Sequence, residues 1–377
     1  MIKICINLSN LSKGGGAQIA SWLIARLVNL NNTNFDFFFL INPALHAGLP
    51  DGLSDKNFYI IEKSPVRSFK ARRQVSAIVK QQDPLFVYTL YGPSGVHFDC
   101  PEVSGVANAW ISCASLSDFN RSYGIYSPLE MIKFYLHGLR LKQCCFLTFE
   151  TEISRNNFCE KFNYPVTKTC LIPNTVNDYF INESNGNGKV SLPDEPFNIL
   201  YVSAFYKHKN IHLLPYYARQ LKESQVLEHF KFQLTLPEKN FEQLIKLAIK
   251  LGVEDCFYNF GFVEGSKLPS IYHQADMVFS PSSLETFSAL YAEAIWSKKY
   301  LAVSDRTFSR EICRDAAVYF DPYDYHSVCH AIESIYLGEA IGELDIALEK
   351  SNDYFITSDQ RFSLIIDLLE RLASDGF

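Results

Sequence analysis

Glu285 and Glu293 stand eight residues apart, and the chain between them changes character. Met277-Val278-Phe279 reads as a short buried strand, and Ser280-Pro281-Ser282-Ser283 breaks it. A helix is expected from near Ser288, through Ala289, Ala292, Ala294 and Trp296. Eight residues are two helical turns or slightly more, so Glu293 can lie below the loop that carries Glu285. One carboxylate then faces the mouth of a cleft and the other sits deeper. The helix N-terminus between them offers N–H groups, from about Phe287 through Ser288 to Leu290, to an anion. Such a site suits a ligand bearing both hydroxyls and phosphate. Upstream, the run 201–210 contains Ser203 and ends Lys207-His208-Lys209-Asn210, where Lys209 is a point charge for a diphosphate. Taken singly, each feature has a blander reading: paired glutamates on a helix are often solvated surface, and a basic turn is often only wet.

The surroundings sharpen the choice. Pro281-Ser282, the run Glu285-Thr286-Phe287-Ser288 and the second acid at Glu293 resemble the signature of glycosyltransferase family 4, a retaining family. Arg310-Glu311-Ile312, followed by the run 315–322, resembles the same family. That family usually has glycine where Thr286 and Ser288 stand here. The likeness is specific in the C-terminal half and weaker in the N-terminal half. The run 201–210 is similar to a subset of bacterial surface-polysaccharide and lipopolysaccharide transferases, in which a His-Lys-Asn ending occurs without the arginine usual at the position of Ala204. The Ile172-Pro173-Asn174 turn resembles the family's segment before the domain crossover.

The resemblance implies an α/β chain of the GT-B type: two doubly wound Rossmann-like domains facing across a cleft, with a last helix crossing back. Expected bounds are 1–181 for an acceptor-side domain, 182–196 for a linker, 197–352 for a nucleotide-sugar domain and 353–377 for the returning helix. It implies transfer of a sugar from a nucleotide-diphosphate donor to a glycan or lipid-linked acceptor, with retention and without a metal or other cofactor. Glu293 would bind the ribose, and Glu285 the sugar hydroxyls and the developing positive charge. Lys209, helped by His208 and the N–H groups of Phe287, Ser288 and Leu290, would hold the departing diphosphate. Gly15, Gly16, Ser203 and Phe262 would complete the donor site, although Phe262 fits plain core equally well. Many members carry a histidine near the acceptor. The nearest equivalent here is Asn108, with His97 on the preceding loop.

Three rivals follow from the same residues. A paired-carboxylate glycosidase is disfavoured, because a basic diphosphate site would have no purpose there. A sugar-nucleotide epimerase would work on free nucleotide sugars. A non-catalytic binding protein would keep the fold, and Ala204 and Asn108 speak for it while Glu285, Lys209 and Glu293 speak against it.

The elements that must position these groups alternate along the chain. Strands are expected at 2–8, 36–41, 58–61, 85–90, 103–110, 145–149, 170–174, 197–202, 231–236 and 258–262. Helices are expected at 17–30, after Gly14-Gly15-Gly16, and at 67–81, 129–142, 151–162, 213–223, 241–251, 267–273 and 359–372. Asp276 reads as structural. The spaced glycines of a dinucleotide fingerprint are absent from the first turn.

Composition narrows the class. With 377 residues and 47% hydrophobic side chains, the chain can bury two cores. No run approaches a membrane span of about 18 apolar residues. The ten cysteines form no CxxC pair, which points to reduced thiols in the cytoplasm. Residues 2–8 read as a first strand, not a signal peptide. The net charge of −6 is uneven: 18 basic and 14 acidic residues precede position 191, and 17 basic and 27 acidic follow. Nothing in this pattern suggests a nucleic-acid partner. Arg67, Lys70, Arg72 and Arg73 cluster at the start of one expected helix, and 129–142 is amphipathic with basic edges. Both suit peripheral contact with the inner face of the cytoplasmic membrane and a phosphate-bearing acceptor. Both also suit an ordinary wet helix face.

Overall fold

The computed structural model describes residues 1–12, 14–30, 34–49, 57–182, 195–351 and 354–375. Lys13 and nearly all of the expected linker 182–196 lie outside them. The chain forms two compact units. The first comprises Met1–Ala114, Tyr123–Pro173 and Asp359–Phe377, and the second Ser115–Ser122 and Asn174–Ser358. The returning C-terminal segment therefore starts at Asp359 rather than 353, and the second unit begins at Asn174. Residues 115–122, expected in the first domain, belong to the second, where the Arg121 guanidinium lies 3.9 Å from the Tyr323 ring centroid.

The first unit holds a seven-stranded parallel sheet. Its strands are β1 (Ile2–Asn7), β2 (Phe35–Ile41), β3 (Phe58–Ile60), β4 (Phe86–Thr89), β5 (Glu102–Val106), β6 (Phe146–Phe149) and β7 (Thr169–Leu171), in the order β3-β2-β1-β4-β5-β6-β7. The strands are short continuous apolar runs because helices cover both faces of such a sheet. At the centre Ile4 is opposite Phe37 on one side and Phe86 on the other. The final helix, Ser358–Asp375, drives Ile365, Leu368, Leu369 and Leu372 into this same core.

The second unit repeats the plan with six strands: β8 (Phe197–Tyr201), β9 (Phe230–Leu234), β10 (Phe257–Asn259), β11 (Met277–Ser280), β12 (Tyr300–Ser304) and β13 (Val318–Phe320). Their order is β10-β9-β8-β11-β12-β13, again all parallel. Ile199 of β8 is opposite Phe232 of β9 and Met277 of β11. Phe279 stacks on Phe320 with centroids 5.0 Å apart. In both sheets the order reverses beside the central strand, between β1 and β4 and between β8 and β11. The loops leaving those two strands diverge, which opens a crevice at their carboxyl ends.

Several bounds shift from expectation. The first helix spans Gly14–Val28, so Gly15 and Gly16 lie in its opening turn and not in a preceding loop. Gly14 enters with φ +69, a backbone that glycine adopts without steric cost. Strand β10 stops at Asn259, because Gly261 turns the chain with φ +73. Phe262 is consequently 88% exposed and is not core. Asp276 is structural as expected: its carboxylate accepts from the Asn198 backbone N–H at 2.7 Å.

Candidate active site

Two loops at the carboxyl edge of the second sheet build the site. One follows β8 and carries Ser203 to Asn210. The other follows β11 and carries Pro281 to Ser288. They meet because Asn210 takes a left-handed turn (φ +53), which asparagine tolerates, and its amide donates to the Pro281 carbonyl at 2.8 Å. The Ser283 backbone N–H donates to the His208 carbonyl at 2.8 Å. Tyr201, fully buried at the end of β8, donates its hydroxyl to the Lys209 carbonyl at 2.8 Å. The short 3-10 turn Lys207–Lys209 is thereby pinned from below and from the side.

This brings Lys209 against Glu285 in a nearly buried ion pair. The Lys209 ammonium donates to Glu285 Oε1, and the Ser282 hydroxyl donates to the same oxygen at 2.8 Å. Burial disfavours the ammonium, but the adjacent Glu285 outweighs it, so the Lys209 pKa lies above its ordinary value. His208 behaves oppositely: burial lowers its pKa and Lys209 adds to that, against the pull of Glu285. Its ring lies parallel to that of Tyr206, with centroids 5.7 Å apart.

The helix Ala289–Trp296 begins at Ser288, whose side chain makes no cap hydrogen bond. Ser288 therefore does not cap the dipole end beside Glu285 with its own side chain. Leu290 buries its side chain, and Phe287 stands edge-on to Phe355 with centroids 6.4 Å apart. One turn deeper, Glu293 is 8% exposed and accepts from the Tyr272 hydroxyl at 2.7 Å. Burial raises its pKa from 4.5 to about 7, against the Tyr272 hydrogen bond. The two glutamates thus differ in kind. Glu285 is paired with a cation, whereas Glu293 is buried with the Tyr272 hydroxyl as its hydrogen-bond partner.

The remaining expected site residues are dispersed. Ser203 donates to the Ala204 carbonyl at 3.1 Å, in the same loop as Lys209. Phe262 projects after β10. Gly15, Gly16 and Asn108 belong to the first unit. Gly16 admits no larger residue freely, since a Cβ there would lie 3.3 Å from Leu11 Cδ2. Asn108 caps the helix Ala109–Ser112, its Oδ1 accepting from the Trp110 N–H at 3.1 Å. Arg72 is committed to the fold, with its guanidinium donating to the Pro65 and Val66 carbonyls at 2.7 and 2.9 Å. Arg67, Lys70 and Arg73 are exposed, at the start of a helix that runs Phe69–Gln82. Tyr201, Asn210, Tyr272 and Ser282 were given no role from sequence. Their side chains hold or pair the acidic and basic groups, and only Ser282 and Asn210 carried a local signal, Ser282 in the Pro-Ser step after β11 and Asn210 at the end of the His-Lys-Asn run.

Two doubly wound units, one with an ion pair and an uncapped helix at its switch point, define the GT-B fold class. Comparisons place the chain further. Residues 185–352 match the family model described as "Glycosyl transferases group 1". An uncharacterized glycosyltransferase of Methanocaldococcus jannaschii is 26% identical over 197 residues, covering 50% of this chain and 49% of that protein. The match thus spans about half the length of that relative. Among solved structures, sucrose-phosphate synthase from Thermosynechococcus elongatus superposes with a TM-score of 0.74 at 13% identity over 100% of both chains. WaaG, a glycosyltransferase involved in lipopolysaccharide biosynthesis, gives 0.69 at 15% identity, covering 96% of this chain and 99% of that one. HepE of Anabaena, solved with UDP and glucose, gives 0.67 at 13% identity over 99% and 100%. At these identities the structures share the fold.

Proposed function

We propose that this protein transfers a sugar from a nucleotide-diphosphate donor to a glycan or lipid-linked acceptor, with retention at the anomeric carbon. Its place would be the synthesis of bacterial surface polysaccharide at the inner face of the cytoplasmic membrane. The observation that carries the proposal is the Lys209–Glu285 pair held at the β8/β11 switch point, beside an uncapped helix N-terminus. Among the described residues the donors to Glu285, Lys209 and Ser282, both meet Oε1, which leaves Oε2 for a sugar hydroxyl. The diphosphate competes with Glu285 for Lys209 and is stabilised by that ammonium and by the N–H groups of Phe287, Ser288 and Leu290. These positive groups take the part a metal would otherwise play. Glu293 accepts from the ribose hydroxyls. His208 and Ser203 border the diphosphate, and Phe262 offers a face to the base. Gly15 and Gly16 of the first unit are assigned to the donor, where they permit close backbone approach. Asn108, whose amide nitrogen takes no part in the helix cap, is assigned to the acceptor hydroxyl.

A binding experiment tests the donor half. Calorimetry with UDP, GDP and ADP should find one nucleotide that the wild type binds and that Lys209→Ala binds at least about tenfold more weakly. Equal affinity in the two folded proteins would refute the site. NMR of the transfer product should show the donor's anomeric configuration, and an inverted linkage would refute retention.

A further inference from the structure

The helix Ser127–Leu141 of the first unit is amphipathic in an unusual sense, because both of its faces are apolar. One face is used internally. It buries Ser127, Phe134, Gly138 and Leu141. Phe134 stacks on Trp110 with centroids 5.9 Å apart. Gly138 sits so close to Phe162 that a Cβ would lie 2.0 Å from the ring. The opposite face carries Leu129, Ile132, Leu136 and Leu139, continued backward by Ile125 of the preceding 3-10 turn. The intervals of four, three, four and three residues align all five in one stripe. Every one is exposed, from 87% at Ile125 to 37% at Leu139. Scattered surface leucines need no explanation, but a continuous stripe of five does.

The charges beside the stripe indicate what covers it. Lys133, Arg140 and Lys142 are exposed around it. The helix carries a single acid, Glu130, which pairs with Lys133 at 2.6 Å. A chain of net charge −6 therefore places a local cationic excess around this apolar stripe. A second copy of this helix would set these cations against one another. A leaflet with anionic headgroups satisfies both features, taking the Leu and Ile side chains at the acyl boundary and the cations among the phosphates. No helix among the described residues is long and apolar enough to cross a membrane, so the contact would lie in the interface plane.

We infer that this face docks the protein on an anionic membrane surface, with the stripe as the anchor and the three cations as the steering groups. The inference rests on the membrane-side part of the proposed function and not on sugar transfer. It locates the contact on this helix, whereas the charge cluster at Arg67, Lys70 and Arg73 supplies cations without an apolar stripe.

Flotation of the full chain with vesicles tests it. Vesicles of phosphatidylcholine alone and of phosphatidylcholine with phosphatidylglycerol are compared at low and high salt. The wild type should bind the anionic vesicles, more strongly at low salt. A Leu129→Ser/Ile132→Ser/Leu136→Ser variant should lose about tenfold or more of that binding. A Lys133→Gln/Arg140→Gln/Lys142→Gln variant should lose the salt dependence. The mutated side chains point to solvent, and an unchanged thermal midpoint confirms that each variant folds. Failure of the wild type to bind, or equal binding by the serine variant, overturns the inference. So does loss of binding only in an Arg67→Gln/Lys70→Gln/Arg73→Gln variant, which moves the contact elsewhere. Light scattering that shows a dimer abolished by the serine changes, without vesicle binding, assigns the face to self-association instead. Nucleotide affinity, measured by calorimetry on the same variants, should not change, so the donor-site proposal is judged separately.

Discussion

Replacing Glu293 by glutamine should stabilise the protein and weaken its function, and both effects should depend on pH. Glu293 is nearly buried, and burial raises its pKa from 4.5 to about 7. In the unfolded chain it titrates near the ordinary value. Below that value both states hold the proton and the group costs nothing. Between the two values the native state still holds a proton that the unfolded state has released, so stability falls as pH rises. Above about 7 the loss is complete. At about 1.4 kcal/mol per pH unit, it amounts to about 3 kcal/mol. Glutamine keeps the shape and can still accept from the Tyr272 hydroxyl, and it has no charge to desolvate. Urea unfolding should therefore find Glu293→Gln nearly equal to the wild type near pH 4.5 and more stable by up to about 3 kcal/mol near pH 8. The same carboxylate is proposed to accept from ribose hydroxyls in its ionised form. Nucleotide affinity of the wild type should then rise from about pH 6 to about pH 8, and that of the variant should be weaker and flat. A stability difference that does not change with pH, or a variant less stable near pH 8, would refute the assignment of a desolvated carboxylate at this position.

Glu285→Ala should cost about 3–5 kcal/mol in unfolding free energy, because it strands the nearly buried Lys209 ammonium. The Lys209→Ala/Glu285→Ala double variant should lose less than the sum of the two single changes, and strict additivity in urea titrations would show the pair to be uncoupled. Asn108→Ala should lower stability by about 1 kcal/mol and Asn108→Ser by much less, since serine can also cap the helix Ala109–Ser112; equal losses in thermal unfolding would show that the cap contributes nothing. Gly138→Ala should destabilise by about 1–3 kcal/mol despite the better helical propensity of alanine, because the methyl group would collide with the Phe162 ring. An unchanged unfolding midpoint would mean that the helix Ser127–Leu141 does not seat as closely as its backbone indicates.

Much of the architecture was legible in the sequence, for a local reason. Parallel strands buried on both faces must be short apolar runs, and the helices between them must be amphipathic, so the alternation is written residue by residue. Glu285 and Glu293 could be placed on a loop and on the following helix from spacing alone. Bounds failed where one residue's backbone decided them. Gly14 starts the first helix three residues early, and Gly261 ends β10 before Phe262. Residues 115–122 were misplaced because nothing local distinguishes a segment that packs with a distant part of the chain.

What only the tertiary structure decided was the partnership of the charges. Lys209 and Glu285 are 76 residues apart, and no pattern in either run says that they neutralise one another. They meet because β8 and β11 are neighbours in the sheet and because Asn210 ties the two loops together. The same holds for Glu293. Its sequence shows a carboxylate on a helix, but its pKa follows from the surface that folding removes from water and from a single hydroxyl, that of Tyr272, 21 residues away. Desolvation and pairing depend on everything within a few ångströms, whereas sequence patterns report only what lies within a few residues. The helix 127–141 makes the point in reverse. Its sequence reads as amphipathic with basic edges, and only packing against Trp110 and Phe162 determines which of its apolar side chains are buried and which stay exposed.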